Sequence, residues 1–531
     1  MAVLLACLSG VLTALAFPPT DWSPLIWVAL VPLLTAVMRA DRVREAACLG
    51  AAAGLLFGLI VLAPLRSGHL WTGWAAISMA DLESVRDAHA RFLTALWIAA
   101  SLWLAVFWAL FTAAIKRISA TRAEMFLVAG PLLWVLIPEY LRGLASSGFH
   151  WAILGNAAAA VPQIRQMAAV GGVWLISALV IAVNGAIAGF IVDQKSRRPR
   201  VACVMIIGCL MVALLYGQWR QQSIERTESR VGVVALQHGL DGNPSAEALA
   251  TGLDRSVLAV VGATVRRLDG RFRILVLPES VTLGALSLDG TVARGRPSEL
   301  QHRAVDWESI FAPVIDTRDI TLILGTDTIE QGKIRNSMVA FGPNGIEGRY
   351  HKRRLVPFAE ATPGWWPGSP RGELQYSPGA DPRPITIEDL DLGAVICQEI
   401  LFPSLVRDSV RAGATILVSG GNDGVFASRA VAETSARAAQ LRAVESGRYL
   451  VRVMKTGVTG VIDPTGSEIA RTDTDATTVL LAMVEPLDDL TLYARFGDWF
   501  VLLASVGSIA ALLNAARREA RTSQKNSTSS S

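Results

Sequence analysis

A single cysteine in the long polar part of the chain is the side chain best suited to do chemistry. Cys397 follows the apolar, strand-like run 393–396 and precedes a helix-like segment. A thiol at such a strand-to-helix turn can act as a nucleophile, and a helix N-terminus can lower its pKa. A lone cysteine is by itself more often a packing residue. The remaining cysteines lie in apolar stretches, where cysteine packs as a small hydrophobe: Cys7, Cys48, Cys203 and Cys209.

Two carboxylates and a lysine could complete the chemistry of a thiol. Glu279 directly follows an apolar strand-like run and Pro278, Lys352 lies in a basic segment, and Glu360 comes eight residues after that lysine. Glu279 could remove the thiol proton as a general base. Lys352 could favour the thiolate and stabilise the oxyanion of a tetrahedral intermediate, with Glu360 holding the lysine or the base in place. The set predicts acyl transfer through a thioester.

Each of these charged residues also has an ordinary interpretation. Glu279 alone could be a helix N-cap or a surface residue. Lys352 alone could belong to a solvated basic loop or contact anionic lipid headgroups, and Glu360 alone could lie on the surface. Only their combination with the cysteine, in this order along the chain, is specific.

The composition indicates a large membrane portion. Of the 531 residues, 52% are hydrophobic and only 18% are charged, whereas soluble proteins carry about a quarter charged residues. Apolar runs of the length that spans a bilayer recur along the chain. We predict eight spans, at residues 2–17, 23–38, 46–65, 92–115, 125–141, 167–192, 201–217 and 499–516.

The first apolar run could instead be a cleaved signal peptide, because Ala14-Leu15-Ala16 resembles a cleavage site. The run has no basic start, and Pro18-Pro19 leads directly into the next apolar run. Both features favour a span that is retained.

The charges of the loops predict the topology. Loops after even-numbered spans are basic, which places them in the cytoplasm and the long polar region on the outer face. We therefore predict a membrane domain at 1–218, an extracytoplasmic catalytic domain at 219–490, a final span at 491–516 and a cytoplasmic tail at 517–531. Residues 522–531 are polar and Ser-rich, which predicts disorder. The basic loop residues are Arg39, Arg42, Arg44, Lys116, Arg117, Arg122, Lys195, Arg197, Arg198, Arg200, Arg517, Arg518, Arg521 and Lys525.

The polar region alternates strand-like and helix-like segments. Such alternation predicts a layered α/β domain, and about 260 residues suffice for one large core. We predict strands at 231–237, 273–277, 320–326, 337–341, 393–396, 415–419, 449–454, 458–462 and 478–484, and helices at 244–267, 298–317, 403–412 and 428–446.

Three motifs in this region resemble a known superfamily. Leu277-Pro278-Glu279, Tyr350-His351-Lys352 and Ile396-Cys397-Gln398-Glu399 match, in order, the motifs of the nitrilase (carbon–nitrogen hydrolase) superfamily. With the flanking spans, the whole chain resembles the apolipoprotein N-acyltransferase family. Further matching segments are residues 12–19, 138–143, 148–151, 352–360 and 492–499.

This resemblance implies a fold and an activity. The expected fold is a polytopic α-helical membrane bundle joined to an αββα sandwich that carries a Glu-Lys-Cys triad. The expected activity moves an acyl chain from a phospholipid, through a thioester on Cys397, to the N-terminal amine of a diacylglyceryl-cysteine lipoprotein. By the same resemblance Glu279 is the base, Lys352 is the oxyanion stabiliser, and Glu360 and Glu399 are supporting carboxylates.

The resemblance also implies where the protein works. We expect a multi-pass protein of the bacterial inner membrane, with its catalytic domain on the periplasmic face. The expected partners are a phospholipid donor, a diacylated apolipoprotein and the bilayer, and the tryptophans at 365 and 366 could lie at the headgroup level. We predict a monomer without cofactor, metal or nucleic acid.

Several positions depart from the family pattern. Gln398 replaces an aromatic residue, residues 420–425 lack the usual tryptophan, and Lys455-Thr456-Gly457 replaces an Asn-Asn-Gly pattern. These departures leave open a membrane-tethered amidase or N-acyltransferase for another acceptor. A non-catalytic scaffold is a further hypothesis, and the complete Glu-Lys-Cys set argues against it.

Overall fold

The chain folds as two compact units. The computed structural model describes residues 1–67, 82–121, 125–146, 150–195, 197–224, 230–238, 255–281, 285–288, 320–357, 359–361, 376–426, 428–473 and 477–529. The helical unit comprises residues 1–67, 87–223 and 495–531, and the α/β unit includes residues 224–494. Outside the described residues lie the predicted helix at 298–317, the start of the predicted helix at 244–267, the matching residues 148–149 and the tryptophans at 365 and 366.

The helical unit is built from long apolar helices, which satisfy their own backbone groups as a bilayer requires. Short 3₁₀ turns occur at Ser23–Trp27 and Ala63–Ser67, and a π-helical turn occurs at Val135–Leu141. The α-helices are α1 (Ala2–Leu15), α2 (Val31–Arg39), α3 (Val43–Val61), α4 (Leu82–Thr121), α5 (Met125–Trp134), α6 (Arg142–Ala145), α7 (Leu154–Ala158), α8 (Pro162–Arg165), α9 (Ala168–Val192) and α10 (Arg197–Ser223), with α15 (Trp499–Ser529) at the end of the chain.

Six helices among the described residues are long and apolar enough to cross a membrane. The first two predicted spans coincide with shorter apolar helices, Ala2–Leu15 and Ser23–Arg39. The first stops before Pro18-Pro19, and the second is part 3₁₀ turn and part α-helix that starts at Val31 with a proline in its first turn. The predicted count of eight is therefore not confirmed. The six are Val43–Val61, Asp87–Ser119, Leu127–Ala145, Ala168–Val192, Arg197–Ser223 and Trp499–Arg521.

Polar side chains inside the helical unit bond to its backbone. Asn184 on α9 donates to the carbonyl of Ile26 at 3.0 Å and accepts from the Leu30 N–H at 2.8 Å. Glu139 in the π-helical turn accepts from the Leu154 N–H at 2.9 Å. Buried polar groups are costly without such partners. The family-like segment at 138–143 therefore holds the chain that leads into α7.

The prediction of disorder at residues 522–531 is wrong as far as Ser529. The last helix continues from the final span to that residue. Before this segment, Glu519 forms an ion pair with Arg117 of α4 at 2.7 Å. The exposed pair contributes little energy by itself, and the run 515–521 consists of residues that favour helix, so residues 522–529 extend a helix that is already formed.

The α/β unit contains two facing sheets. In the first sheet the strand order is β13-β1-β2-β4-β5-β6, with β3 beside β4, and in the second it is β12-β11-β10-β9-β8-β7. The strands are β1 (Val231–Gln237), β2 (Phe272–Val276), β3 (Ala285–Ser287), β4 (Thr321–Glu330), β5 (Lys333–Gly342), β6 (Gly345–His351), β7 (Ile385–Ile387), β8 (Leu390–Ile396), β9 (Ile416–Gly421), β10 (Leu450–Met454), β11 (Gly460–Ile462), β12 (Glu468–Arg471) and β13 (Thr478–Val484).

Helices cover the outer faces of both sheets. Alternate residues of β1 point inward and outward, so Val233 packs in the core between the sheets while Val234 packs in a second core that includes Val261 of a helix. The predicted αββα sandwich is confirmed for this unit. Its helices are α11 (Arg255–Arg267), α12 (Pro403–Arg411) and α13 (Arg429–Ser446), and α14 (Leu492–Phe496) follows the last strand.

All nine predicted strands are present, whereas β3, β6, β7 and β12 were not predicted. β6 has the sequence Gly-Ile-Glu-Gly-Arg-Tyr-His and is mostly exposed. An edge strand of this kind lacks the apolar alternation that identifies a half-buried strand. The strand that leads into Lys352 was therefore not predicted, although Lys352 directly follows it.

Candidate active site

The ends of three strands bring the predicted residues together. Glu279 follows β2, Lys352 follows β6, and Cys397 follows β8 as the first residue of the 3₁₀ turn Cys397–Leu401. The Lys352 ammonium lies 3.3 Å from Glu279 Oε1 and 2.8 Å from Glu360 Oε1. The charges of Glu279 and Lys352 both act on the Cys397 thiol. The four residues predicted from separate motifs therefore form one cluster.

The backbone turns sharply at the thiol. Cys397 has a φ of 55°, in the left-handed region that residues with a side chain seldom adopt. Its neighbour across the sheet is Gly421 at the end of β9, where a Cβ would lie 3.0 Å from the Cys397 Cα. A non-glycine residue in this conformation costs about 1–3 kcal/mol, and such strain is concentrated at functional sites. The turn directs the side chain out of the strand and toward the charged cluster.

Glu399 ties this turn to the loop that follows β6. Its Oε2 accepts hydrogen bonds from the Ile396 N–H at 2.8 Å and the Tyr350 hydroxyl at 2.9 Å. Its Oε1 accepts from the N–H groups of Arg353 at 2.7 Å and Arg354 at 3.0 Å. Four donors satisfy a carboxylate that is fully buried, and burial raises its pKa. The contacts fit the supporting role predicted for Glu399, which acts on the backbone around the thiol and the lysine.

Glu360 fixes the position of the lysine. Its Oε1 accepts from Lys352 Nζ, and its Oε2 accepts from the Val356 N–H at 2.8 Å. Because Val356 and Glu360 belong to the same short loop, the carboxylate closes that loop on itself. The second supporting carboxylate therefore lies next to the ammonium, as its predicted role requires.

Asn336 on β5 is a site residue that the sequence did not reveal. Its side-chain amide donates to Glu279 Oε1 at 2.6 Å and to Glu360 Oε1 at 2.9 Å. The backbone carbonyl of Asn336 accepts a hydrogen bond from the backbone N–H of Lys352 at 2.8 Å. No sequence signal marked this residue, because Asn336 lies between Arg335 and Ser337, just before the predicted strand at 337–341. It becomes meaningful once the β5–β6 hairpin register places it beside the lysine.

The two oxygens of Glu279 have different surroundings. Oε1 receives the amide of Asn336 and the ammonium of Lys352. Within the part of the chain that the structure describes, no hydrogen bond to Oε2 is found. An oxygen without a donor is free to accept a proton, and the carboxylate is already oriented through its other oxygen.

Electrostatics keep the resting thiol protonated. Burial raises the pKa of Cys397 most, the negative charge of Glu279 raises it further, and Lys352 opposes them without cancelling the effect. Burial alone would lower the pKa of Lys352, but the charges of Glu279 and Glu360 outweigh it and hold that pKa well above its usual value. The expectation that the helix N-terminus lowers the thiol pKa is thus wrong, because a single 3₁₀ turn does not offset burial and a neighbouring carboxylate.

A raised thiol pKa predicts slow alkylation near neutral pH. The rate of Cys397 modification by iodoacetamide should be lower than that of a cysteine in a flexible peptide, whose pKa is about 8.5. The thiolate fraction should keep increasing as the pH rises through about 10, since a raised pKa moves the titration upward. Mass spectrometry of the Cys397 peptide measures the rate at each pH. A plateau already reached below about pH 8 would contradict this electrostatic assignment.

Two of the departures from the family pattern, Gln398 and residues 420–425, lie next to the site in the chain. Gln398 is partly buried beside the thiol. The 420–425 loop turns back toward β10, where Asp423 forms a buried ion pair with Arg452 at 2.7 Å.

Comparisons with known proteins cover both units. Residues 9–186 match the family described as the apolipoprotein N-acyltransferase N-terminal domain, and residues 230–491 match the carbon-nitrogen hydrolase family. The chain is 30% identical to an apolipoprotein N-acyltransferase of Gloeobacter violaceus, over 98% of this chain and 96% of that protein. It is 28% identical to one of Geobacter metallireducens, over 97% and 95%. A solved carbon-nitrogen hydrolase of Helicobacter pylori G27 is 17% identical, covers 52% of this chain and 94% of its own, and gives a TM-score of 0.37.

Proposed function

Because the chain belongs to the apolipoprotein N-acyltransferase family, we propose that it transfers an acyl chain from a phospholipid to the N-terminal amine of a diacylated apolipoprotein. The observation that carries the proposal is the buried Glu279–Lys352–Glu360 cluster beside the strained turn of Cys397. It supplies a base, a fixed cation and a thiol, which are the parts that thioester chemistry needs.

The first half of the reaction loads the acyl chain. Glu279 Oε2 takes the thiol proton while Cys397 Sγ attacks the ester carbonyl carbon of the phospholipid. The carbonyl π electrons move to oxygen, and the Lys352 ammonium stabilises the oxyanion. When the tetrahedral intermediate collapses, the C–O bond breaks and the leaving alkoxide takes the proton from Glu279. The products are an acyl-thioester and a lysophospholipid.

The second half transfers the chain to the amine. A neutral amine attacks the thioester carbonyl, and Lys352 again stabilises the oxyanion. Glu279 removes a proton from the attacking nitrogen as the C–S bond breaks, and this proton returns to the thiolate. Because a carboxylate accepts and releases one proton in each half, Glu279 serves both steps without a second base.

The same proposal assigns a location. Six long apolar helices among the described residues make this an integral membrane protein. Membership of the family supports the bacterial inner membrane as its location, and the basic loops favour the periplasmic face for the α/β unit. Both substrates are anchored in lipid, so a membrane-bound enzyme meets them in the same layer.

The rival amidase hypothesis is not favoured. The relatives match over nearly the whole chain, including the helical unit, and are named apolipoprotein N-acyltransferase. The membrane-tethered amidase, or an N-acyltransferase for another acceptor, therefore has less support than the proposed function.

The test is complementation with a reporter lipoprotein. A bacterial strain depleted of its own N-acyltransferase would produce this chain and a diacylated reporter, and mass spectrometry would read the reporter N-terminus. We expect a third acyl chain with the wild-type protein and none with Cys397→Ala. A reporter that stays diacylated, while the wild-type chain is produced at a normal level in the membrane, would overturn the proposed acceptor.

A further inference from the structure

Hydrogen bonds between Asn422 and Thr456 hold the loop that follows β9 and passes the thiol. We call this pair of side chains the lock. The Asn422 side-chain carbonyl oxygen accepts the hydroxyl of Thr456 at 2.6 Å and the N–H of Gly424 at 3.0 Å. The Asp423 N–H donates to the Thr456 carbonyl at 2.9 Å. A Cβ on Gly424 would collide with the Thr456 hydroxyl. The segment after β9 is therefore fastened to the segment after β10 through Thr456.

The fastened segment reaches the sulfur. Asn422 directly follows Gly421, which lies against the Cys397 backbone, and the backbone N–H of Asn422 favours the anionic form of the thiol. Just before it, the carbonyl of Gly421 accepts from the Lys455 N–H at 2.8 Å, and Gly421 lies against the Cys397 backbone. These contacts leave Asn422 little freedom to move away from the thiol while the lock is intact.

The charges around the thiol show why one N–H matters. Three charged side chains act on Cys397: Glu279 and Asp423 raise its pKa, and Lys352 lowers it. Arg452 pairs with Asp423 at 2.7 Å and screens its charge. The Asn422 N–H and the lysine are thus the groups that stabilise a negative sulfur against burial and two carboxylates.

We infer that Thr456 is a positioning residue for the thiol: its hydroxyl fixes the Asn422 side chain so that the Asn422 N–H stabilises negative charge on Cys397 Sγ. This inference rests on the proposed role of Cys397 as nucleophile. The N–H acts when the S–H bond breaks and its proton goes to Glu279. It acts again when the thioester C–S bond breaks and the electron pair returns to sulfur.

The test compares two substitutions of similar size. Thr456→Val keeps the shape and removes the hydroxyl, and Thr456→Ser keeps the hydroxyl. We expect Thr456→Val to slow Cys397 alkylation about tenfold at about pH 9 and to move the pH profile of alkylation upward by about one unit. The reason is that the interaction of the Asn422 N–H with the negatively charged sulfur is weakened. Ser should retain the wild-type profile. Mass spectrometry of the Cys397 peptide in the full-length, detergent-solubilised protein measures both.

A matched control removes an equivalent bond elsewhere. The Thr465 hydroxyl donates to Asp463 at 2.6 Å in a turn after β11. Thr465→Val should leave the alkylation profile unchanged. An equal shift in Thr465→Val and Thr456→Val would mean that lost stability causes the effect, and would overturn the inference.

A double-mutant cycle adds a second substitution, so that the test does not depend on Thr456→Val alone. Asn422→Ala removes the other half of the lock and should produce the same shift as Thr456→Val, including if the valine variant folds poorly. The double variant should add almost nothing further, since both changes break one interaction. Additive effects, or no shift in either variant, would overturn the inference. Alkylation does not require acyl transfer, so failure here is distinct from absence of an acyl-enzyme in the wild type.

Discussion

Glu279→Gln is expected to reduce acyl-enzyme formation by roughly 10²–10⁴-fold, the range that a positioned general base contributes. The substitution is nearly isosteric, and its side-chain oxygen can still accept from Asn336. What disappears is the group that we propose takes the thiol proton. The rate of lysophospholipid release in the first turnover measures this step.

The same variant should change thiol acidity in the opposite direction. The Glu279 charge raises the pKa of Cys397, second only to burial, so its removal should lower that pKa and speed alkylation near neutral pH. Slower acyl transfer together with faster alkylation separates a base from a residue that merely supports the fold. Glu347→Gln, which changes an exposed carboxylate on β6, should alter neither rate. A parallel fall of both rates in Glu279→Gln would contradict the assignment.

Lys352→Met is expected to cause the largest combined loss. The lysine is almost fully buried and is the cation between Glu279 and Glu360. Removing one partner from a buried ionic cluster costs about 3–5 kcal/mol, because the remaining charges are uncompensated. Acyl transfer should also fall below detection, since the oxyanion loses its charged donor. Thermal unfolding in detergent and the first-turnover assay measure the two effects.

The carboxylates that Lys352→Met leaves behind should cause the destabilisation. Without the ammonium, Glu279 and Glu360 remain in the cluster with no cation between them. Adding Glu360→Gln should therefore recover part of the stability without recovering activity. Lys333→Met, at an exposed position of β5, should change stability by less than about 0.5 kcal/mol. No loss in Lys352→Met, or no recovery in the double variant, would contradict the buried cluster.

Much of the site was predictable because its residues stand at the ends of apolar strands. Glu279 and Cys397 each follow a hydrophobic run, and the carboxyl ends of strands are where side chains leave a sheet for a site. Both β2 and β8 could be recognised from such runs. The order of the motifs then identified the superfamily, and with it the αββα arrangement.

The remaining features depend on contacts that no local pattern encodes. Asn336 became a site residue only through the register of a hairpin whose second strand, β6, is polar and exposed. The direction of the Cys397 pKa depends on burial and on a carboxylate far away in sequence, so a turn motif alone gave the wrong sign. The predicted number of spans is not confirmed for a different reason: the first helix ends before Pro18-Pro19, the second apolar run is divided near Val31, and hydropathy does not show where a helix begins or ends.

The most direct test of the central claim is mass spectrometry of the Cys397 peptide after the purified, full-length protein is incubated with phosphatidylethanolamine and no acceptor. We expect a mass increase of one acyl chain on Cys397 that hydroxylamine removes, as a thioester requires, and that a diacylated lipopeptide discharges. Cys397→Ala should carry no such adduct. An unmodified Cys397 in protein that triacylates a reporter, or an acyl chain bound at a different residue, would show that Cys397 does not carry the acyl chain.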